Sequence, residues 1–464
     1  MSFDSLTYLL FLPAVVLLHW LCPARRRHWV LLAASLIFYA SWNLRLTGLL
    51  LAVIGLSWLA GLLLARPASP GKRRTVLWLA LGLCLAVLAY FKYFHFLAGT
   101  LGALLRQSWR LWDVVLPVGI SFYTFQAMSY VIDVYRDPSK AERHPGYYAL
   151  YISFFPQLVA GPIERAERLL PQLRAERRWE PEDLRMGLRL LLSGYFRKLV
   201  LADCCGRFVT AVYAAERPDG SAVFLATLLF AVQIYNDFAG YSEIALGSAR
   251  LLGIRLMRNF DRPYLACGLR DFWRRWHISL TRWFTDYVYI PLGGSKRGLF
   301  RQIAATLLVF ALSGLWHGAN WTFLAWGLFH GALLTGELLV RRTIPGRAGA
   351  SGGKLPAVLL TFLAVSFSWL FFRADSLGHA FALIGQLFSV WDLNAGLAAL
   401  SMALPDALWL LAALLMSPLL DRLSRDERPQ PTDMTLVYLA LSIALAWLIR
   451  LEQNAPSAFI YFQF

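Results

Sequence analysis

The run LTGLLLAVIGLSWLAGLLLA, Leu46–Ala65, contains no charged side chain. A helix that crosses the hydrocarbon core of a bilayer needs roughly 20 mostly apolar residues, so this run predicts a membrane span. The composition of the whole chain agrees, because its 464 residues are 58% hydrophobic and only 16% charged, with a mean hydropathy of +0.52. These values exclude an ordinary soluble domain.

Similar apolar stretches lie on both sides of this run. They are Leu6–Leu21, Trp29–Tyr39 with its flanks, Val76–Tyr90, Val115–Val134, Leu190–Ala214, Ala222–Leu252, Gln302–Trp316, Trp321–Val340, Leu355–Phe372, Leu397–Leu420 and Thr435–Ile449. We therefore predict an all-α, polytopic integral membrane protein with about 11–13 transmembrane helices. Residues 1–464 are expected to form one membrane-embedded domain, without a soluble domain longer than a loop.

The net charge of +17 is typical of such proteins, because their cytoplasmic loops collect Lys and Arg. The first apolar run, Leu6–Leu21, precedes Arg25–Arg27, so the charge lies on the wrong side for a cleaved signal peptide. We expect a multi-pass protein of the cell inner membrane with a periplasmic N-terminus. No nucleic-acid-binding module is recognisable, so no nucleic-acid partner is expected. The five cysteines have neither disulfide nor metal spacing, and no metal site is expected.

Two stretches break the simple alternation of spans. Tyr147–Gly161 is apolar over only about 15 residues, short for a crossing, and contains Phe155-Pro156, which disfavours a helix. We interpret it as a re-entrant segment. In the second stretch, large apolar side chains follow helical spacing and arginines lie on the sides, which predicts an interfacial amphipathic helix. The apolar set is Trp273, Trp276, His277, Leu280 and Phe284, and the basic set is Arg274, Arg275 and Arg282.

His317 is the leading candidate for chemistry. The helix Gln302–Trp316 would be about 22 Å long against a core of about 30 Å, so His317 should lie inside the membrane thickness, accessible from outside. Titratable groups at that depth are costly and usually functional, and an imidazole exchanges protons near neutral pH. We expect Trp316 and Trp321 to shield it and Asn320 to orient a substrate or the imidazole ring. A histidine that only packs between helices is the alternative.

His277 is the second candidate, although an interfacial histidine beside arginines can simply contact lipid headgroups. Asp237 and Tyr241 are four residues apart and therefore share a helix face within an apolar run. An intramembrane carboxylate needs a partner, which the arginine-rich segment after Arg270 could provide. A structural ion pair is at least as good an interpretation as a catalytic role.

Six blocks of sequence resemble the membrane-bound O-acyltransferase family. They are GISFYTFQAMSY from Gly119, FFPQLVAGPI from Phe154, NDFAGYS from Asn236, RDFWRRWHISL from Arg270, YIPLGG from Tyr289 and LWHGANW from Leu315. They are most similar to the bacterial branch that acylates alginate, cellulose or teichoic acids, and the terminal FIYFQF, Phe459–Phe464, also resembles that branch. Several blocks in order are far more specific than any single motif.

The resemblance implies acyl transfer, with His317 at the family's characteristic histidine and His277 at its second polar position. It implies a cytoplasmic thioester donor, acetyl-CoA or a related acyl thioester, and no permanently bound cofactor. Arg274 and Arg275 are expected to attract this anionic donor. The acyl group, most simply acetyl, would O-acetylate an exported polysaccharide such as alginate or cellulose.

The resemblance also implies partners beyond the surrounding membrane lipids. A periplasmic polysaccharide acetyltransferase and a polymer synthase or secretion complex are the expected ones. Three alternatives stay open at the level of sequence: D-alanyl transfer to a cell-wall polymer, a transporter or flippase that makes no bond, and a scaffold for a secretion complex. The sequence does not name the acceptor polymer.

Overall fold

The computed structural model describes residues 1–396 apart from 108, 110, 111, 160, 344–353, 390, 393 and 395. Throughout the described residues, regular structure is helical, which confirms the predicted all-α class. Several predicted features lie outside them: the spans Leu397–Leu420 and Thr435–Ile449, and the terminal block Phe459–Phe464.

Six of the described helices are long and apolar enough to cross a membrane. They are Leu44–Ala65, Pro70–Leu105, Gly220–Leu251, Leu299–His317, Trp321–Thr343 and Lys354–Arg373. They confirm a polytopic membrane protein, and the total of 11–13 spans stays a prediction.

The described residues group into two compact units. The first comprises Met1–Leu191 and Ile244–Met257, and the second comprises Leu192–Glu243 and the described residues from Arg258 onward. The expectation of one domain across the chain stays a prediction.

The first unit is built from the N-terminal helices. They are α1 Leu6–Leu21, α2 Arg27–Ala40, α3 Leu44–Ala65, α4 Pro70–Leu88, α5 Phe94–Leu105, α6 Ile120–Arg136, α7 Pro145–Ser153, α8 Phe155–Leu158 and α9 Ala166–Arg174. A π-helix, Ala89–Tyr93, joins α4 to α5. The helix is interrupted at Phe154, next to the Phe155-Pro156 pair that was expected to disfavour a helix, although both residues of this pair lie in the single turn of α8. The depth of this segment in a membrane stays a prediction.

The second unit carries the candidate site. It contains the end of α10 (Pro181–Phe196) from Leu192 and the part of α12 (Gly220–Leu251) up to Glu243. Its other helices are α11 Asp203–Ala214, α13 Leu269–Arg275, α14 Ile278–Phe284, α15 Leu299–His317, α16 Trp321–Thr343, α17 Lys354–Arg373 and α18 Leu377–Leu387. Two π-helical stretches, Arg197–Ala202 and Thr285–Tyr289, follow α10 and α14.

Helices α15 and α16 approach each other through two glycines. A Cβ atom added at Gly314 would lie 2.2 Å from the carbonyl oxygen of Phe323, and one at Gly327 would lie 2.1 Å from that of Phe310. Small residues at such crossings let helix backbones come close, as is common between membrane helices. This contact fixes the end of α15, where His317 lies, against the first turns of α16.

Candidate active site

His317 is the last residue of α15, and its side chain is only 2% exposed. The helix has 19 residues and is about 28 Å long, rather than the predicted 22 Å. The length argument that placed His317 inside the membrane therefore fails, since this helix nearly matches a bilayer core. Burial by protein, rather than a short helix, makes the environment of this imidazole apolar.

Three aromatic rings surround the imidazole of His317. The ring centroids of Trp316, Trp326 and Phe372 lie 5.0, 5.2 and 5.5 Å from it. The expected shielding by Trp316 agrees with this arrangement. The side chain of Trp321 is 47% exposed, and its expected shielding of His317 stays a prediction. The described rings that enclose His317 come from α15, α16 and α17, and they exclude water around it.

His277 does not lie on a continuous amphipathic helix, and that prediction was wrong. Helix α13 ends at Arg275, and α14 begins at Ile278. His277 takes a left-handed backbone conformation at the break, with φ 41° and ψ 55°. Its side chain is 0% exposed rather than interfacial.

The bend at His277 brings the two candidate histidines together. Their ring centroids are 6.2 Å apart, and Trp316 lies 5.7 Å from His277. On its other side, the His277 ring packs edge-on against Phe238 of α12 at 4.8 Å. Two imidazoles in one aromatic pocket can divide the work of proton transfer and of holding a reacting group.

Burial lowers the pKa of His277 from 6.5 to about 3, because the imidazolium would lose its hydration. The unfolded chain therefore binds a proton that the folded chain does not. The stability that the neutral imidazole contributes is fully present above pH 6.5 and is lost as the pH falls toward 3, with a slope of up to about 1.4 kcal/mol per pH unit.

We expect His277→Asn to weaken the dependence of folding stability on pH, since Asn does not titrate and tolerates the left-handed conformation. The measurement is the midpoint of thermal unfolding in detergent between about pH 7.5 and about pH 5. The wild type should lose more of its midpoint over this interval than the variant. Equal losses would contradict the assignment of a neutral, buried His277.

A cavity of about 270 Å³ opens between the segment Arg270–Tyr289 and helices α15 and α16. Its walls run along α15 from Gln302 to Ser313, about 16 Å along the helix axis. The inner end at Ser313 lies one helical turn before His317. Apolar groups form most of its lining, among them the rings of Trp273 and Phe310.

The outer part of this cavity is charged. Arg270, Arg274 and Arg341 line it together with Glu337, so three guanidinium groups face one carboxylate. The Glu337 carboxylate pairs with Arg341 at 2.7 Å and accepts the backbone N–H of Leu269 at 2.8 Å. Excess positive charge at a low-dielectric opening attracts anions.

The structure distinguishes Arg274 from Arg275, the two arginines that were predicted to attract the donor. Arg274 lines the cavity and is exposed. The guanidinium of Arg275 instead forms an ion pair with Asp271 at 3.0 Å, four residues earlier. Arg274 is therefore the better placed of the two for an anionic ligand.

Asn320 caps α16. Its Oδ1 accepts the backbone N–H of Thr322 at 3.1 Å, and its Nδ2 donates to the carbonyl of Asp375 at 3.0 Å. Asparagine is a favoured N-cap because its side chain satisfies an otherwise free backbone donor. These bonds shape the turn after His317, and a direct role in orienting a substrate stays a prediction.

Asp237 and Tyr241 lie in a buried ionic cluster. Lys198 pairs with Asp237 at 2.8 Å and with Asp203 at 2.9 Å, and its Nζ lies 5.8 Å from the ring centroid of Tyr241. The ion-pair partner of Asp237 is thus Lys198, which follows α10. The sequence instead suggested a partner in the arginine-rich segment after Arg270. This arrangement favours the structural ion pair as the role of Asp237.

Sequence reasoning missed several residues around the site. Trp326, Phe372, Ser313 and Glu337 were read only as parts of apolar spans. The signal available for Trp326 was its helical spacing with Phe323 and His330, which predicts one shared face. No sequence pattern distinguished Ser313 from the other small residues of α15.

The profile of the membrane-bound O-acyltransferase family matches residues 75–372. A probable alginate O-acetylase of Azotobacter vinelandii is 36% identical over 84% of this chain and 79% of its own length. A second probable alginate O-acetylase, from Pseudomonas putida, is 35% identical over the full length of both chains. A peptidoglycan O-acetyltransferase of Helicobacter pylori is 33% identical over 77% of this chain and 73% of its own.

Proposed function

Because the chain belongs to the membrane-bound O-acyltransferase family, we propose that it transfers an acetyl group from a cytoplasmic thioester toward an exported polysaccharide. The observation that carries this proposal is the cavity that leads from a basic opening to the turn before His317. It extends from a place that attracts an anionic carrier to within one helical turn of a buried base, and acyl transfer from a thioester requires a donor and a base that lie close together.

The donor is a thioester whose carrier bears phosphate, such as acetyl-CoA. The guanidinium groups of Arg270 and Arg274 bind the phosphates at the opening, because guanidinium matches phosphate in charge and geometry. The apolar length of the cavity accommodates the flexible arm, and the acetyl group reaches the level of Ser313. Lys and Arg collect at the cytoplasmic ends of membrane helices, so the basic opening faces the cytoplasm.

His317 acts as the general base. Its neutral imidazole removes the proton from an acceptor hydroxyl as the hydroxyl oxygen forms a bond to the acetyl carbonyl carbon. The C–S bond then breaks, and the proton passes from His317 to the leaving thiolate. Trp316, Trp326 and Phe372 keep water away from the carbonyl and so suppress hydrolysis. His277, beside this ring, holds the reacting group in line.

The acceptor is a polysaccharide exported across the inner membrane, in first place alginate or a similar uronate polymer. This assignment extends to this chain what the names of the two O-acetylases say of those proteins. A periplasmic acetyltransferase and a polymer synthase act as partners, and the N-terminus is periplasmic. Peptidoglycan is the second acceptor to test, since another relative is named for it.

The test compares a deletion strain, the strain carrying the gene again, and the parent. Acetyl esters on the exported polymer and on peptidoglycan are released with base and measured separately, together with alanine esters. We expect the deletion to remove acetate from the polymer and the restored gene to return it. Loss of alanine esters instead would establish D-alanyl transfer, and unchanged esters in every fraction would contradict the proposal.

Neutralising Arg274 should weaken donor binding without stopping the chemistry. For Arg274→Gln, we expect KM for acetyl-CoA to rise about fivefold to tenfold and kcat to change by less than about twofold, since a contact to the carrier contributes equally to substrate and transition state. The assay follows thiol release by the protein in lipid nanodiscs. Arg282→Gln is the matched control, because Arg282 is exposed but does not line the cavity. Equal effects of both substitutions would contradict the assigned phosphate contact.

A further inference from the structure

The left-handed backbone of His277 needs an external constraint. A residue with a Cβ atom pays about 1–2 kcal/mol for this conformation, and it persists only where the surroundings determine it. With φ 41°, His277 relaxes into an ordinary conformation unless something holds the turn. A relaxed turn would carry the imidazole away from the ring of His317.

Asn259 makes three hydrogen bonds around this turn. Its backbone carbonyl accepts the N–H of Ile278 at 2.9 Å. Its side-chain Oδ1 accepts the hydroxyl of Ser279 at 2.6 Å, and its Nδ2 donates to the hydroxyl of Ser242 at 3.2 Å. Two of these bonds thus hold Ile278 and Ser279, the residues directly after His277.

The third bond ties the turn to α12. Ser242 and Phe238 are four residues apart on that helix and therefore share a face. Phe238 packs against the His277 ring at 4.8 Å, so one face of α12 holds both the ring and the turn behind it. The three polar side chains are buried, with exposures of 1% for Asn259, 2% for Ser279 and 3% for Ser242. Hydrogen bonds in such surroundings are geometrically strict, because breaking one leaves a buried group unsatisfied.

We propose that Asn259, together with Ser279 and Ser242, is a positioning residue that holds His277 beside His317. The inference rests on the proposed function, in which the two imidazoles face one reacting group. Asn259 does not touch the substrate. It acts through the backbone of Ile278 and the hydroxyl of Ser279, which fix the direction of the His277 side chain.

The first test removes the side-chain bonds. We expect Asn259→Ala to lower kcat for thiol release from acetyl-CoA by about tenfold to a hundredfold, since a displacement of about 1 Å at a reacting pair has effects of that size. KM for acetyl-CoA should stay within about twofold, because the carrier contacts lie in the cavity, which Asn259 does not line. Ser279→Ala is the milder variant and should give a smaller fall in kcat with the same unchanged KM.

The second test asks whether Asn259 acts through His277. Glycine adopts the left-handed conformation without strain and has no side chain to position. In a His277→Gly background, Asn259→Ala should therefore lower residual kcat by less than about twofold. An equal fall in both backgrounds would overturn the proposal, because Asn259 would then act independently of His277.

Thermal unfolding of the wild type, Asn259→Ala, His277→Gly and the double variant gives a second double-mutant cycle that does not depend on turnover. If His277→Gly shows no measurable activity, a non-additive shift of the unfolding midpoint supports the coupling, and an additive shift overturns it.

Thr361→Val is the matched control, since the buried Thr361 hydroxyl bonds to Ala357 of its own helix, and we expect no change in kcat or KM. A wild type that releases no thiol from acetyl-CoA would contradict the proposed donor. A kcat for Asn259→Ala equal to that of the wild type would contradict the positioning role.

Discussion

Replacement of His317 by Ala should abolish acyl transfer while the protein still inserts and accumulates. General base catalysis contributes about 10²-fold to 10⁴-fold, and in the described site the nearest other imidazole, His277, lies 6.2 Å away by ring centroids. We expect acetyl esters on the polymer to fall to the level of the deletion strain. The measurements are ester content and the amount of protein in the membrane fraction.

His330→Gln is the matched control for this variant. His330 is also a buried histidine of the second unit, and its ring lies 5.0 Å from that of Trp326. Its Nε2 shares a hydrogen bond with the Ser368 hydroxyl at 2.9 Å, so its role is packing rather than chemistry. We expect this variant to keep acyl transfer with a lower unfolding temperature. A normal content of acetyl esters in His317→Ala would contradict the assignment of His317 as the general base. Substrate movement that survives in that variant would favour a transporter.

Apolar runs predicted helices well where the run alone determines the element. Helix α1 occupies the predicted Leu6–Leu21, and α3 extends the predicted Leu46–Ala65 by two residues to Leu44. Both lengths follow from hydropathy, because a helix satisfies its backbone within the segment itself. The break at Phe154 was also predictable, since Pro156 has no N–H to bond to the carbonyl of Ile152, and its ring would clash with that carbonyl in a continuous helix.

The arrangement around the two histidines was not predictable in the same way. His277 and His317 are forty residues apart in sequence, and their approach depends on a left-handed residue at 277. Periodicity instead suggested one continuous amphipathic helix, because Trp273, Trp276 and Leu280 fit a helical face. Asn259, a buried asparagine eighteen residues before His277, overrides this local preference through its bonds to Ile278 and Ser279. Tertiary contacts of this kind leave no mark in a local pattern.

Blocking the inner end of the cavity should be nearly as damaging as removing the base, for a different reason. Ser313 lines the cavity, is 5% exposed, and lies one turn before His317. In Ser313→Leu, the larger side chain occupies the space where the acetyl group must sit, and overpacking resists its displacement. We expect kcat/KM for acetyl-CoA to fall by about a hundredfold.

Leu312→Phe supplies the comparison, because Leu312 is 39% exposed on another face of α15 and does not line the cavity. It should retain full activity although it adds volume at the adjacent position. Ser313→Leu and His317→Ala differ in what they leave intact. His317→Ala should still bind acetyl-CoA with nearly unchanged affinity, since the base is not a carrier contact, whereas Ser313→Leu should bind it weakly. Equal donor affinity in these two variants would mean that the acetyl group reaches His317 by another route than this cavity.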